Sequence, residues 1–368
     1  MTEVLNTSVT SQKNYPFSKM RYLQIAVLFS FFSCAVNTEN SQFDPLKDFE
    51  RQELLRSKRM VASDSIFKTN DLLMTGKYLI VHDPDLQYIF KIIDVSKDEF
   101  LFSFGRRGEG PCELGPLSFI NRFGPEGQFL GIYNGSSRTY LEFLFQDIID
   151  LNGDLDCIET KFNLEKYHLS IAKIRSKLAI GYALDDQPYS LITDGKSVNK
   201  LGSFPFQDEF PKVPREVLAM AYQNRLIKHP TESKLISTSR FSFNMDFLSW
   251  DNSGNLEIYK SLHFWPTEFL YEETAGEFAA PITSENRFGN LSTTVSKRFI
   301  YVLYNDEPWN YQFPQKSKKI LVYDWAGSSI KIYELDQELS HIAVHENDEY
   351  LIGYYDDGKA NLYKFDLE

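Results

Sequence analysis

Short apolar runs bounded by polar positions recur along this chain with a near-constant spacing. The clearest are Tyr78-Leu79-Ile80-Val81, Phe129-Leu130-Gly131-Ile132, Leu178-Ala179-Ile180-Gly181, Leu235-Ile236-Ser237-Thr238, Phe299-Ile300-Tyr301-Val302 and Tyr350-Leu351-Ile352-Gly353, whose starts differ by 51, 49, 57, 64 and 51 residues. A polar or charged residue precedes each, at Lys77, Gln128, Lys177, Lys234, Arg298 and Glu349, and Asp or Asn closes several, at Asp83, Asn134, Asn305 and Asp356. Each unit reads as a strand ending in a turn.

About ten residues later a second apolar run follows, over Tyr88 to Ile93, Tyr140 to Phe145, Tyr189 to Thr193, Phe243 to Trp250, Ile320 to Trp325 and Asn361 to Phe365. Turn sequences come next: Asp194-Gly195, Asn152-Gly153, Asp251 to Gly254 and Asp324 to Gly327 supply the positive φ that tight hairpins require. A third strand is predicted at Glu99 to Phe104, Asn255 to Tyr259 and Ser329 to Tyr333, and lead-in stretches such as Ser65 to Met74 and His341 to His345 add a fourth. Four antiparallel strands in a period of roughly 50 residues make one propeller blade. The fold predicted is therefore all-β, a six-bladed β-propeller of four-stranded blades. The chain stops at Glu368 with no room for a last strand in the sixth unit, so Leu54 to Ala62 is the expected donor that closes the ring.

Composition sharpens this picture in three ways. The 30 Phe and 21 Tyr suit many half-buried strands. A net charge of −12 argues against capture of nucleic acid and favours neutral or basic partners. The one long apolar run, Leu23 to Phe32, is too short to span a bilayer, but Lys19 and Arg21 precede it and Ser33-Cys34 follow it, as in a secretory signal. Phe31-Phe32-Ser33-Cys34 resembles a bacterial lipobox, with Cys34 the residue that would carry lipid. The expected organisation is an upstream extension and signal over 1–33, a lipidated polar tether over 34–50 and the propeller over 51–368. Cys112 and Cys157 are the remaining thiols, free or paired in a disulfide, and no Cys/His spacing suits zinc.

The stretch Gly105-Arg106-Arg107-Gly108-Glu109-Gly110-Pro111-Cys112-Glu113-Leu114 resembles the G-x-x-G-x-G-P-x-E-F/L segment that joins blades in TolB-like and NHL-like six-bladed propeller lipoproteins. Cys112 stands where that pattern has Gly, and Leu114 where it has Phe. The resemblance runs from Cys34 to the end and implies a lipid-anchored protein of the bacterial cell envelope, at the outer membrane or the periplasmic face, with a binding or scaffolding role. A fold alone does not assign an activity.

Strand alternation places the links between blades on the same face as the second-to-third strand connections. The long connections 105–116, 205–214, 264–289 and 305–318 fall there, so ligand contact is expected on that face. Trp309, Tyr311 and Phe313 form one aromatic group on these loops and Trp265, Phe269 and Tyr271 a second, each suited to stacking or to covering the rim. Arg106 and Arg107 offer donors to a carboxylate or phosphate, or pair with Glu109 and Glu113 to brace their turn. The binding residues expected are thus Arg106, Arg107, Glu109, Trp265, Trp309 and Tyr311. No phosphate loop, G-x-S-x-G or H-E-x-x-H motif is present, and His341 with His345 lack a third metal ligand. The function predicted is a monomeric binding or scaffolding propeller, without cofactor or metal, for a glycan, peptide or envelope protein. The alternative is a lyase or hydrolase whose His, Tyr and Arg side chains meet at the channel mouth.

Overall fold

The computed structural model describes residues 44–367 except 85–86, 111–112, 116–117, 125–126, 155–161, 176 and 310–314. Six antiparallel sheets follow one another along the chain. Blade 1 comprises Asp71–Thr75, Tyr78–His82, Tyr88–Asp94 and Glu99–Arg106, and blade 2 Ser118–Phe123, Phe129–Asn134, Thr139–Leu144 and Phe162–Asn163. Blade 3 comprises His168–Arg175, Leu178–Ala183, Tyr189–Thr193 and Lys196–Leu201, and blade 4 Arg225–Lys228, Lys234–Thr238, Asn244–Trp250 and Leu256–His263. Arg287–Val295, Phe299–Pro308, Ser317–Asp324 and Ser329–Leu339 form blade 5, and His341–Val344, Tyr350–Asp356 and Ala360–Asp366 begin blade 6. The first strand of each blade packs against the first strands of both neighbouring blades, and blade 6 packs on blade 1. The ring is closed, and the first strands line its axis.

Alternation along each strand explains why most of the predicted runs are apolar at successive positions. Successive side chains point to opposite faces of a sheet, and here both faces are covered by another blade. In blade 1, Leu79 and Val81 enter the core shared with blade 6, whereas Ile80 enters the core shared with blade 2. In blade 5, Ile300 and Val302 face blade 4 while Tyr301 and Leu303 face blade 6. Six such cores exist, one per blade interface. Fully burying a side chain such as Ile80 stabilises the fold by about 2–3 kcal/mol.

The N-terminal segment closes the ring, and it does so with two strands rather than one. Ser57–Arg59 pairs antiparallel with the last strand, Ser57 opposite Phe365 and Arg59 opposite Tyr363, and completes blade 6. Just before it, Gln52–Leu55 runs parallel to Ser329–Leu339 as a fifth strand of blade 5, with Gln52 opposite Ile332. Asp336 accepts the Ser57 N–H with both carboxylate oxygens at 3.1 Å. Farther on, the Val61 and Ala62 N–H groups bond the Asp98 carboxylate of blade 1 at 2.8 and 3.0 Å. A single stretch of chain therefore ties blades 5, 6 and 1. Packing begins earlier still, because Leu46 and Phe49 lie against the core between blades 4 and 5, with the Phe49 ring 5.2 Å from Tyr323.

Three local features depart from the periodic reading. Residues Val61–Ser65 form a tight 3-10 turn, so the first strand of blade 1 starts at Asp71 rather than Ser65. The third strand of blade 2 ends at Leu144 because a short helix, Phe145–Asp150, follows, and Asn152-Gly153 terminates that helix with φ of 51° and 76° instead of forming a hairpin. Between blades 4 and 5 a small hairpin, Glu272–Thr274 with Glu277–Ala279, occupies the long link. By contrast Asp194-Gly195 is the predicted tight turn, with φ of 48° and 81°.

The clasp yields a direct test. Asp336→Ala leaves the Ser57 N–H without its acceptor, and Asp98→Ala does the same to Val61 and Ala62. Each variant is expected to lose about 1–2 kcal/mol of stability in urea unfolding, whereas alanine at the exposed Lys58 changes little.

Candidate functional site

The six axial strands begin at Asp71, Ser118, His168, Arg225, Arg287 and His341, all on the face that carries the long connections. Blades 1 and 4 stand opposite each other in a six-membered ring, and their first residues meet across the channel. Arg225 Nη1 donates to Asp71 Oδ1 at 2.9 Å and Nη2 to Oδ2 at 2.5 Å, a two-pronged ion pair. The Leu72 N–H also bonds Asp71 Oδ1 at 2.8 Å, which fixes the carboxylate. This pair spans the mouth.

Around it stand residues from three other segments. His341 of blade 6 is half-buried, its Nδ1 lies 3.0 Å from Ser340 Oγ, and burial holds its pKa down to about 4. His82, opposite Asp71 in the sheet, is also kept neutral by burial, and its Nε2 has no hydrogen-bond partner. Arg240 lies two residues beyond the second strand of blade 4. It is open to water on one side and backed by protein on the others, so burial and then the Arg225 charge lower its guanidinium pKa. Among the described residues no carboxylate pairs with Arg240.

Aromatic rings flank Arg240 on both sides. Toward blades 2 and 3, Phe119 lies 6.4 Å from Tyr133, nearly parallel at 18°, and Tyr133 lies 6.5 Å from Tyr167. Phe119 is 40% exposed, an unusual value for an axial-strand aromatic, and Tyr167 is half-buried near enough to Arg240 to feel its charge. Toward blade 5, Arg240 stands 5.3 Å over the Phe241 ring, Phe241 meets Phe288 edge-on at 5.7 Å, and Phe288 meets Trp309 at 5.6 Å. The mouth is a positively charged spot rimmed by rings.

The residues expected from the sequence are dispersed. Trp309 belongs to this rim, and its N–H bonds the Asn286 carbonyl at 2.8 Å. Trp265 is buried, its indole N–H donating to the Arg287 carbonyl at 3.0 Å amid Phe243 and Tyr304. Arg106 pairs with Glu113 at 3.4 Å, and the Gly110 N–H bonds Glu113 Oε2 at 2.9 Å, so the glycine-rich link is braced from within. The Arg107 N–H bonds the Gln87 carbonyl at 2.8 Å, and Glu109 is exposed. Tyr311, Phe313, Cys34, Cys112 and Cys157 lie outside the described residues. In the second aromatic group, Phe269 packs on Phe210 and Tyr271 bonds Glu273.

Asp71, Arg225, Arg240, Tyr167 and Phe119 escape a linear reading because they are spread over four periods. One signal points to them: position within the repeat. The residue that opens each axial strand lies at the mouth whatever its type, and Asp71, Arg225 and His341 share that position.

The histidines make stability depend on pH. His168 is buried, its Nδ1 lies 3.0 Å from the Lys166 carbonyl, and burial lowers its pKa from 6.5 to about 4. Below pH 6.5 the unfolded chain gains protons that the folded chain refuses, so stability falls as pH drops from 6.5 toward 4. Between pH 7 and pH 5 His168 alone is expected to remove about 2 kcal/mol, with His341, His82 and His229 acting in the same direction. Urea titrations at the two pH values check this, and His168→Gln is expected to flatten the dependence.

A family model agrees with the architecture. The profile of a family described as TolB-like 6-blade propeller-like matches residues 53–347. No curated protein matches the chain. Similar solved structures include the Pan2 WD40 domain of Neurospora crassa, with 11% identity, TM-score 0.44 and coverage of 77% of this chain and 72% of that one. A functionally unknown protein from Desulfotomaculum acetoxidans shows 13% identity and TM-score 0.40, with 72% and 71% covered. The Cps50 (Swd1) β-propeller domain of Myceliophteria thermophila shows 10% identity and TM-score 0.40, with 80% and 98% covered. Six blades, closed by the N-terminal segment that completes blade 6 and adds a fifth strand to blade 5, together with the match over residues 53–347, make this chain a member of the TolB-like six-bladed propeller family.

Proposed function

We propose that this protein is a lipoprotein of the bacterial cell envelope, anchored through lipid on Cys34, whose propeller binds a glycan, peptide or envelope protein at the channel mouth of its long-loop face. The observation that carries the binding role is Arg240, a guanidinium with no carboxylate partner among the described residues, set between two groups of aromatic rings. Cationic and aromatic groups gathered at one concave opening recognise ligands by stacking and directed hydrogen bonds. Lipid at Cys34 is supported by the apolar run and the small residue that precede it. The packing of Leu46 and Phe49 on the ring leaves residues 35–45 between that cysteine and the propeller.

The neighbouring histidine favours recognition over proton transfer. An imidazole with a pKa near 4 is a weak base at neutral pH, whereas an efficient general base titrates near the working pH. The Asp71 carboxylate is also occupied by Arg225.

Two measurements test the reading. In bacterial cells the full chain is expected to incorporate labelled palmitate and to sediment with membranes, and Cys34→Ser is expected to abolish both; palmitate-free wild-type protein would dismiss the anchor. On arrays of envelope glycans and peptides, Tyr167→Ala and Trp309→Ala are expected to reduce retention about tenfold or more, about 1.4 kcal/mol, at unchanged melting temperature. Equal retention by both variants would move the site elsewhere.

A further inference from the structure

We infer that the ligand of this mouth is an acidic glycan, whose sugar carboxylate is held jointly by Arg240 and the N–H groups of Arg225 that Asp71 does not engage, with Asp71 acting as a built-in competitor. The inference rests on the mouth being the binding site and adds the chemistry of what it binds.

Three observations carry it. Arg225 already displays carboxylate recognition, because it grips Asp71 with a parallel pair of bonds. A guanidinium has five N–H donors in a planar fork, so this contact leaves the rest of the fork available. Second, Arg240 stands close enough to Arg225 for their like charges to oppose each other, and no carboxylate among the described residues relieves it. An anion placed between the two would remove that repulsion and gain charge-assisted bonds from both. The spot is cationic in a chain of net charge −12, so the surrounding field does not account for it.

The rings define the rest of the ligand. Phe119 is exposed and Tyr167 and Trp309 are half-buried, rings of the kind that pack on the C–H surface of a sugar. A peptide recognised by its backbone adds a strand to a free edge, and the inner edges of the blades face a channel that the Asp71–Arg225 pair spans at this mouth. A flat ring bearing a carboxylate uses both features of the site.

Calorimetry with a tetragalacturonate, its methyl ester, a glutamate-rich peptide and inorganic phosphate tests the inference. The acid is expected to bind, and the ester, which keeps the rings but loses the charge, at least about tenfold more weakly. Arg240→Gln is expected to weaken the acid by about tenfold or more, and Asp71→Asn, which keeps the acceptor for Leu72 but removes the competing charge, to tighten it about threefold or more. Near-ultraviolet circular dichroism confirms that each variant is folded. Equal binding of acid and ester, or an unchanged Arg240→Gln affinity, overturns the carboxylate. Tighter binding of the peptide or of phosphate than of the uronide overturns the glycan. Neutral glycans that bind and depend on Tyr167 and Trp309 but not on Arg240 would leave the mouth standing as the site and remove only the acid. No binding of the uronide under any condition also overturns the inference.

Discussion

A blade of this protein has two apolar faces and no layer of its own to cover either. Stacking in a line would leave two terminal sheets exposed to water; only a circle buries every face. The whole structure depends on closing that circle, and closure is made by residues 52–62, which extend blade 5, complete blade 6 and cap a turn against blade 1. Because the sixth core is shared between blades 6 and 1, it also draws Met60, Ala62 and Ile66 into its packing. The start and end of the propeller are thus held by one network of backbone bonds and burial, and edge strands that would template association are covered.

Closure also creates the site. In an open stack the first strands of blades 1 and 4 would be three sheets apart; in the ring they face one another, and Arg225 reaches Asp71 across the axis. Partial burial then gives these charges weight. Burial of Arg240 reduces screening, so the like charges on Arg225 and Arg240 oppose one another more strongly than on an open surface. Burial also keeps His82 and His341 neutral, which leaves the arginines as the cations of the mouth at neutral pH.

Some of this is legible in the sequence. Continuous apolar runs such as Tyr78 to Val81 and Phe299 to Val302 already require burial on both faces, and their repetition requires a ring. The missing strand of the last unit pointed to an N-terminal donor, and Ser57–Arg59 fills that place. The second contribution, Gln52–Leu55 on blade 5, has no such pointer: a four-residue strand running parallel on an outer edge leaves no periodic mark. Asn152-Gly153 read as a hairpin because helix ends and tight turns demand the same positive φ.

The sequence by itself determined what depends on local pattern: strand positions, blade number, and the face on which long connections lie. Each of these follows from alternation and turn chemistry within about 50 residues. Tertiary structure alone decided which side chains meet, since Trp265 turned inward to the Arg287 carbonyl while Phe119 stayed at the opening. Asp71 and Arg225 are 154 positions apart, and nothing local couples them. They meet because ring closure converts equivalent positions in successive repeats into neighbours around one axis.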